Sequence, residues 1–422
     1  MTKTYTLNFT GDVMLARLID QLFPQHNYNP RESNIITTFQ THYPHLSPGH
    51  YTHASPWGSA LPLFQPPSSS LNLINLETAV TTAAEPWPDK RFNYRMHPAN
   101  LEVLREGCVD FASLANNHTL DFGTEGLVET VWAVKGLGLG FAGAGESVDE
   151  CRRAAVLDLP RKVSRVSAAA AAAAVGDGGG GNGVKKWSEK EKHGGHGHER
   201  FDSESNGTPT KQHKIHVYAA SDHPRDWSGV PTFHLIDYSP ATRRHLKTLL
   251  SSASSSPEEQ KPALKIFSIH WGPNYTWQPS PDIRSLAHFL IDECAVDIVH
   301  GHSAHHVQGV ERYKGKLIMY GCGDFVDDYA LNERFRNDLG AVWRVVVAEE
   351  DRGDGDGAGL GLRLERLEVY PTRCDRFQVT LLDREDEDHG WVRRKITALS
   401  EEMDTVVRRE LGEDGQVVVD LN

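Results

Sequence analysis

Residues 299–309, VHGHSAHHVQG, set His300, His302, His305 and His306 within seven positions. Neutral imidazole is a good ligand for Zn, Fe and Mn, but histidine-rich runs also occur in solvated loops, so neighbouring donors decide its meaning. Those donors recur in one pattern, each closing an apolar run. Asp12 follows YTLNFTG, Glu77 follows LNLINL, Asn117 and His118 follow VDFASLAN, His270 follows LKIFSI, and His302 and His305 follow VDIVHG. Oxygen and imidazole donors without thiolate suit Mn, Fe, Zn or Mg, and a shared carboxylate such as Asp12 can bridge two ions. A dinuclear metal centre is the expectation. Each residue also has a structural explanation, since Asp beyond a strand often caps a helix and a lone His often bonds within a core. Repetition at the same end of successive strands favours a shared site. Arg17, in GDVMLAR, suits an anionic substrate or a surface ion pair, and Lys90 is a weaker candidate of the same kind.

Such convergence needs a frame in which strand ends meet. The chain alternates apolar runs with helical patterns: strands in TYTLNFTGD, LNLINLE, VDFASLANN, ALKIFSIH and VDIVHGH, helices in PANLEVLREG, TEGLVETVWAVKGLG and SPDIRSLAHFLIDEC. That is an α/β signature, and in such sheets ligands bind outside the carboxyl ends of the strands. Over 125–135, Leu127, Val128, Val131 and Val134 recur at near-helical spacing, with Gly136 and Gly138 as the stop.

Composition narrows the class. With 39% hydrophobic residues and nine tryptophans among 422 residues, the chain can build a sizeable core. A net charge of −13 repels polyanions, so nucleic acid is not the expected partner. Five scattered cysteines, Cys108, Cys151, Cys294, Cys322 and Cys374, fit neither a disulfide framework nor a thiolate zinc site and point to a reducing compartment. The start MTKTYTLNFTGDVMLAR lacks an apolar leader core, and no run approaches 18 uncharged apolar residues, so a cytoplasmic protein without a membrane span is expected. Residues 161–214 carry seven consecutive alanines, GDGGGGNG and HGGHGH, and read as a disordered insertion in the loop between strands RRAAVLDL and KIHVYAAS. Its histidines His193, His196 and His198 read as solvated. SSASSSPEEQK and EEDRGDGDGAGLG (349–361) read as further loops between strands.

The blocks GDVMLAR, NLETAVT, LANNHTLDFG, IHWG and GHSAHHVQGVERYKGKLIMYGCGDF, in that order, resemble the signature blocks of the CapA family of capsule or poly-gamma-glutamate synthesis proteins. The resemblance runs from about Tyr5 to Val347, without the insertion. That family is similar to calcineurin-like metallophosphatases, which implies an α/β fold of the four-layer α/β/β/α sandwich type. It further implies one domain from 1–160 plus 215–348, interrupted by 161–214 and completed by C-terminal strands and a helix in 349–422. By the same resemblance Asp12 is the bridging carboxylate between two divalent ions. Glu77 is a ligand of one ion, Asn117 and His270 are ligands of the other, and His302 and His305 give one imidazole to each. His118 is the implied acid. Metallophosphatases typically begin with Asp-x-His, whereas Val13 and Met14 follow Asp12, and the family's GNF is GDF at Gly323, Asp324 and Phe325. Those departures place an extra carboxylate near the site and remove one usual ligand. His300 is expected behind the ligands and His306 in an outer or surface role. The implied function is a metal-dependent hydrolase of a small anionic substrate, foremost a phosphoester. A protein that makes or cuts gamma-glutamyl polymer and a non-catalytic metal-binding module are the alternatives.

Overall fold

A computed structural model describes residues 2–161, 212–252, 261–351 and 360–422. Most of the low-complexity insertion and the tips of the two shorter loops therefore lie outside the described residues. The strands in chain order are β1 (Thr4–Val13), β2 (Leu71–Leu76), β3 (Ala79–Val80), β4 (Arg95–Met96), β5 (Phe111–Ser113), β6 (Gly140–Ala142), β7 (Ala155–Leu159), β8 (His213–Ser221), β9 (Leu264–His270), β10 (Ile298–His302), β11 (Val310–Tyr313), β12 (Lys316–Met319), β13 (Asp324–Val326), β14 (Leu339–Asp351), β15 (Leu360–Asp375), β16 (Gln378–Leu381) and β17 (Val417–Asp420). One sheet runs β16-β15-β14-β1-β2-β5-β6, with β13 also beside β1 and β17 beside β15; the second runs β11-β12-β10-β9-β8-β7. β1, β2, β5 and β6 are mutually parallel, as are β8, β9, β10 and β12. The fold is mixed α/β.

Strand alternation explains how the sheets meet. Leu7, Phe9, Leu71 and Leu73 of the first sheet and Leu264, Ile266 and Ile298 of the second share one apolar core. The intervening residues point outward. Ile74 and Leu76 pack with Leu127, Val131 and Val134 of the helix Gly123–Leu137, while Phe267, Ile269 and Val299 pack with Leu246 of Pro240–Ser252 and Leu286 and Leu290 of Pro281–Cys294. The helix 123–137 ends where Gly138 takes a φ of 78°, a turn glycine makes without Cβ strain. Carried forward, the same alternation puts Asn75 and Glu77, Ser268 and His270, and His300 and His302 on the face between the sheets.

Asp12 needs an additional device. Tyr5, Leu7 and Phe9 face the shared core, yet Val13 and Leu15 pack on the outer, helix-covered side. The register of β1 against β2 shifts between Phe9 and Asp12, and this irregularity moves Asp12 to the inner face. β5 is shorter than VDFASLANN suggests. It stops at Ser113, and the Asn116 side chain, donating to Leu76 O at 2.8 Å, holds the following turn.

Candidate metal centre

Strand register delivers the donors in pairs. Asp12 is the cross-strand partner of Asn75 on β2 and of Asp324 on β13, and His302 is the partner of His270 on β9. Glu77 follows directly from β2, and His305 lies three residues past β10 in a turn with φ 62°. The carboxylates therefore come from the first sheet and the imidazoles from the second or its loop. Two ligand-forming groups result, Asp12 with His270 and His302, and Asp12 with Glu77, His305 and Asp324, and within each the donor atoms lie within 4.8 Å of one another. Asp12 belongs to both.

A network outside the donors fixes ring orientation. His300 Nε2 lies 2.8 Å from Thr10 O, which can only accept, so this nitrogen carries the proton. Burial pushes the His300 pKa down to about 4, so the ring is neutral and its Nδ1 accepts from the Ser268 hydroxyl at 3.0 Å. Ser268 Oγ in turn accepts from His302 Nε2 at 3.1 Å, which leaves the His302 Nδ1 lone pair facing His270 Nδ1 at 2.9 Å and Asp12 Oδ1 at 3.9 Å. Asp12 Oδ1 accepts from Asn75 Nδ2 at 2.7 Å, and Glu77 Oε2 accepts from the Tyr329 hydroxyl at 3.0 Å.

The charges favour a cation. Burial, reinforced by the other carboxylates, pushes Glu77 and Asp324 well above the usual carboxylate range, and burial raises Asp12. Burial, then the nearby imidazoles, push His270 and His302 well below the ordinary histidine value, which keeps their lone pairs available. Asp12 Oδ2, Glu77 Oε1, Asp324 Oδ2, His270 Nε2 and Asn117 Oδ1 are buried and have no hydrogen-bond partner among the described residues. A buried unpaired acceptor costs roughly 1–3 kcal/mol, more when charged. Divalent cations satisfy this donor set.

Beside the donors stands a second constellation. His118 Nδ1 donates to Asp121 Oδ2 at 2.6 Å, and Asp121 also receives Tyr94 N–H at 2.6 Å and pairs with Lys90. Lys90 Nζ donates to Asn117 O at 2.5 Å. Burial pushes His118 down to about 4. Tyr94 stacks on His118 with centroids 4.0 Å apart, and Arg17 lies against the other reach of Tyr94, 3.5 Å from its hydroxyl and 3.4 Å from Asp328. Arg17 thus joins the site through Tyr94 while its charge is shared with a buried carboxylate. Asn117 is half-buried in this same turn.

Sequence reasoning left one residue open, anticipated another and missed two pairs. His306, left between an outer and a surface role, is fully buried: its Nδ1 bonds Ala304 O at 2.6 Å and its ring packs on Trp277 and Phe335, because the loop turns at His305 and directs the next side chain inward. Asp324, the extra carboxylate that GDF set near the site, stands among the donors as a register partner of Asp12. Tyr94 and Tyr329, which touch His118 and Glu77, lie in segments without periodic pattern. Asp222 and His223 pair with each other just past β8, and the His223 ring lies 5.0 Å from His270. The signal for that pair was SDHP, another polar cluster at a strand end.

Clustered Asp, Glu and His at the strand ends of a mixed α/β protein define a class compatible with divalent metals. The chain belongs to the family described as bacterial capsule synthesis protein PGA_cap, whose model matches residues 6–329. It is 31% identical over 411 residues, 94% of this chain and 91% of the relative, to the probable polyglutamine synthesis accessory protein of Mycobacterium tuberculosis, in both strain CDC 1551 / Oshkosh and strain ATCC 25618 / H37Rv. It is 23% identical to the capsule biosynthesis protein CapA of Bacillus anthracis, over 76% of this chain and 60% of that protein. To the PGA biosynthesis protein CapA of Bacillus subtilis it is 22% identical, over 77% and 65%. The CapA resemblance of the sequence blocks is thereby established. No helix among the described residues is long and apolar enough to cross a membrane, and all five cysteines are free thiols.

Proposed function

We propose that this protein is a metal-dependent hydrolase that serves the synthesis or cleavage of a poly-gamma-glutamate polymer. The names of its relatives support the polymer, and one observation supports the chemistry: Asp12 is common to two groups of buried, partly unpaired donors. The arrangement of two sheets with helices on both outer faces is read as the four-layer α/β/β/α sandwich of metallo-dependent phosphatases. Residues 1–160, 215–348 and 349–422 are taken as one such domain carrying an insertion. Two divalent ions, from Mn, Fe, Zn or Mg, held by Asp12, Glu77, Asn117, His270, His302 and His305, would polarise the scissile group and acidify water. His118, its Nδ1–H held by Asp121, presents the Nε2 lone pair to the substrate, where it would take a proton from the attacking water and return that proton to the leaving group. Arg17 receives substrate anion, steadied by Tyr94. Lys90 fixes the turn through Asn117 O and Asp121. Free thiols are consistent with a reducing, cytoplasmic setting.

A second reading, a phosphoesterase acting on a small anionic ester, rests on the same centre and on the two cations Arg17 and Lys90 near His118. Assays with Mn2+ against EDTA separate the two. Glutamate released from a gamma-glutamyl oligomer, with p-nitrophenyl phosphate and its bis ester inert, supports the first. Metal-dependent turnover of the esters, with the oligomer intact, supports the second. Metal uptake without turnover of either leaves a non-catalytic metal-binding module.

A further inference from the structure

The second sheet carries a cleft on the face turned away from the metal donors. Ile215, Val217 and Ala219 of β8 point into the core shared with the first sheet, so His216 and Tyr218 point the other way, towards the helix Pro240–Ser252. That helix covers β8 and leaves β7, the last strand of the sheet, with Val156 47% exposed. A cleft of about 540 Å3 results, lined by Arg152, Val156, His216, Tyr218, His245 and Leu249, and its size suits a small molecule. His216 precedes Ser221, the register partner of His270, by roughly 16 Å along β8. The cleft is therefore separate from the metal centre. We infer that it binds a small organic anion, with a carboxylate held by Arg152 and His245 and an apolar body laid along Val156, Tyr218 and Leu249.

Four observations carry this. First, Arg152 forms no ion pair among the described residues, because the adjacent Glu150 is taken by Lys135 and Arg153, at 2.9 and 3.7 Å. Asp149, the acid that lines the cleft, is exposed and does not pair with it. Second, Arg152 Nε and His245 Nε2 are buried with no hydrogen-bond partner among the described residues. A carboxylate supplies acceptors for both, and charge-assisted bonds of this kind are the strong ones. Third, burial first, with the Arg152 charge also acting, pushes the pKa of His245 and of His234 down, and the two rings stand edge-on with centroids 5.8 Å apart. The field of the guanidinium reaches both imidazoles, and an anion in the cleft cancels it. Fourth, the wall of Val156 and Leu249 gains from covering an apolar body and gains nothing from a bare, hydrated ion.

The test uses the full-length, metal-loaded protein and 4-bromobenzoate, with 4-bromobenzamide as its uncharged counterpart and inorganic phosphate as a bare anion. Isothermal titration calorimetry gives the affinities, and anomalous diffraction at the bromine edge locates the probe. Expected is a bromine peak between Val156 and Leu249, with the benzoate bound about tenfold tighter than the amide or phosphate. Arg152→Met should weaken the benzoate about tenfold or more. Arg153→Met, at a side chain 71% exposed and paired with Glu150, should change it less than about twofold. Should Arg152→Met fail to fold, Val156→Trp, at the exposed edge strand, fills the cleft and should abolish binding. Equal affinity for benzoate and amide would overturn recognition of the anion, and phosphate bound more tightly than benzoate would overturn the organic class. The absence of a bromine peak in the cleft, or a peak at the metal centre alone, would overturn the site.

Discussion

His300 and His302 share the hydroxyl of Ser268, at 3.0 and 3.1 Å, and the carbonyl of Thr10 sets the direction of the whole chain of bonds. Because Thr10 O only accepts, every proton along the series is fixed, and His302 Nδ1 is left as an unprotonated donor. Ser268→Ala breaks the series without touching a donor. Metal titration should show affinity lower by about 10–100-fold with the fold retained. Unchanged affinity would mean that the ring needs no such orientation.

Gly11 lets β1 approach the turn before β13. A Cβ there would lie 1.7 Å from Gly323 O, whose carbonyl accepts from Asp12 N at 3.1 Å. Gly11→Ala should cost about 1–3 kcal/mol or more and displace Asp12, lowering metal content. Gly136→Ala, inside the helix 123–137 with nothing near its Cβ, should be neutral or stabilising by up to about 1 kcal/mol. Equal denaturation midpoints for the two variants would refute the contrast.

His118→Ala removes the proposed acid and none of the six proposed ligands. Turnover on whichever substrate the protein hydrolyses should fall by about 10²–10⁴ while bound metal is unchanged. Parallel loss of metal would assign His118 to the metal centre's structure rather than to proton delivery.

His234 is fully buried, its ring bonded to Ala219 O at 2.7 Å, and burial pushes its pKa from 6.5 down to about 4. The folded value lies below the unfolded one, so its contribution is fully present above pH 6.5 and is lost as pH falls through 4. Across that interval the linkage amounts to about 3 kcal/mol. Chemical denaturation at successive pH values should show a shallower acid limb for His234→Gln than for wild type; parallel limbs would place the acid sensitivity elsewhere.

β7 and β8 pair antiparallel, with Leu159 opposite His213, so the ends flanking 162–211 are already neighbours. Replacing that segment by a short Gly-Ser linker should leave fold and metal content intact and change stability by about 1 kcal/mol, favourably, because shorter loops cost less to close. A tenfold drop in metal occupancy or turnover at limiting metal would give HGGHGH or its neighbours a working role.

Much of this was legible locally. An apolar run that ends in Asp, Glu or His announces both a buried strand and a polar group at its end, because alternation and burial act over a few residues. That logic found Asp12, Glu77, His270, His302 and His305 as candidates, along with the α/β class and the helix 123–137. Tertiary pairing decided the rest. Asp324 became the partner of Asp12, 312 positions away, through the β1–β13 register, and Asp12 reached the inner face through an irregularity that no periodicity marks. His306 was buried by a turn whose direction depends on Trp277 and Phe335. Local sequence sets what a strand carries to its end, whereas which ends meet, and whether acids face acids or imidazoles, is fixed by register and sheet packing between segments hundreds of residues apart.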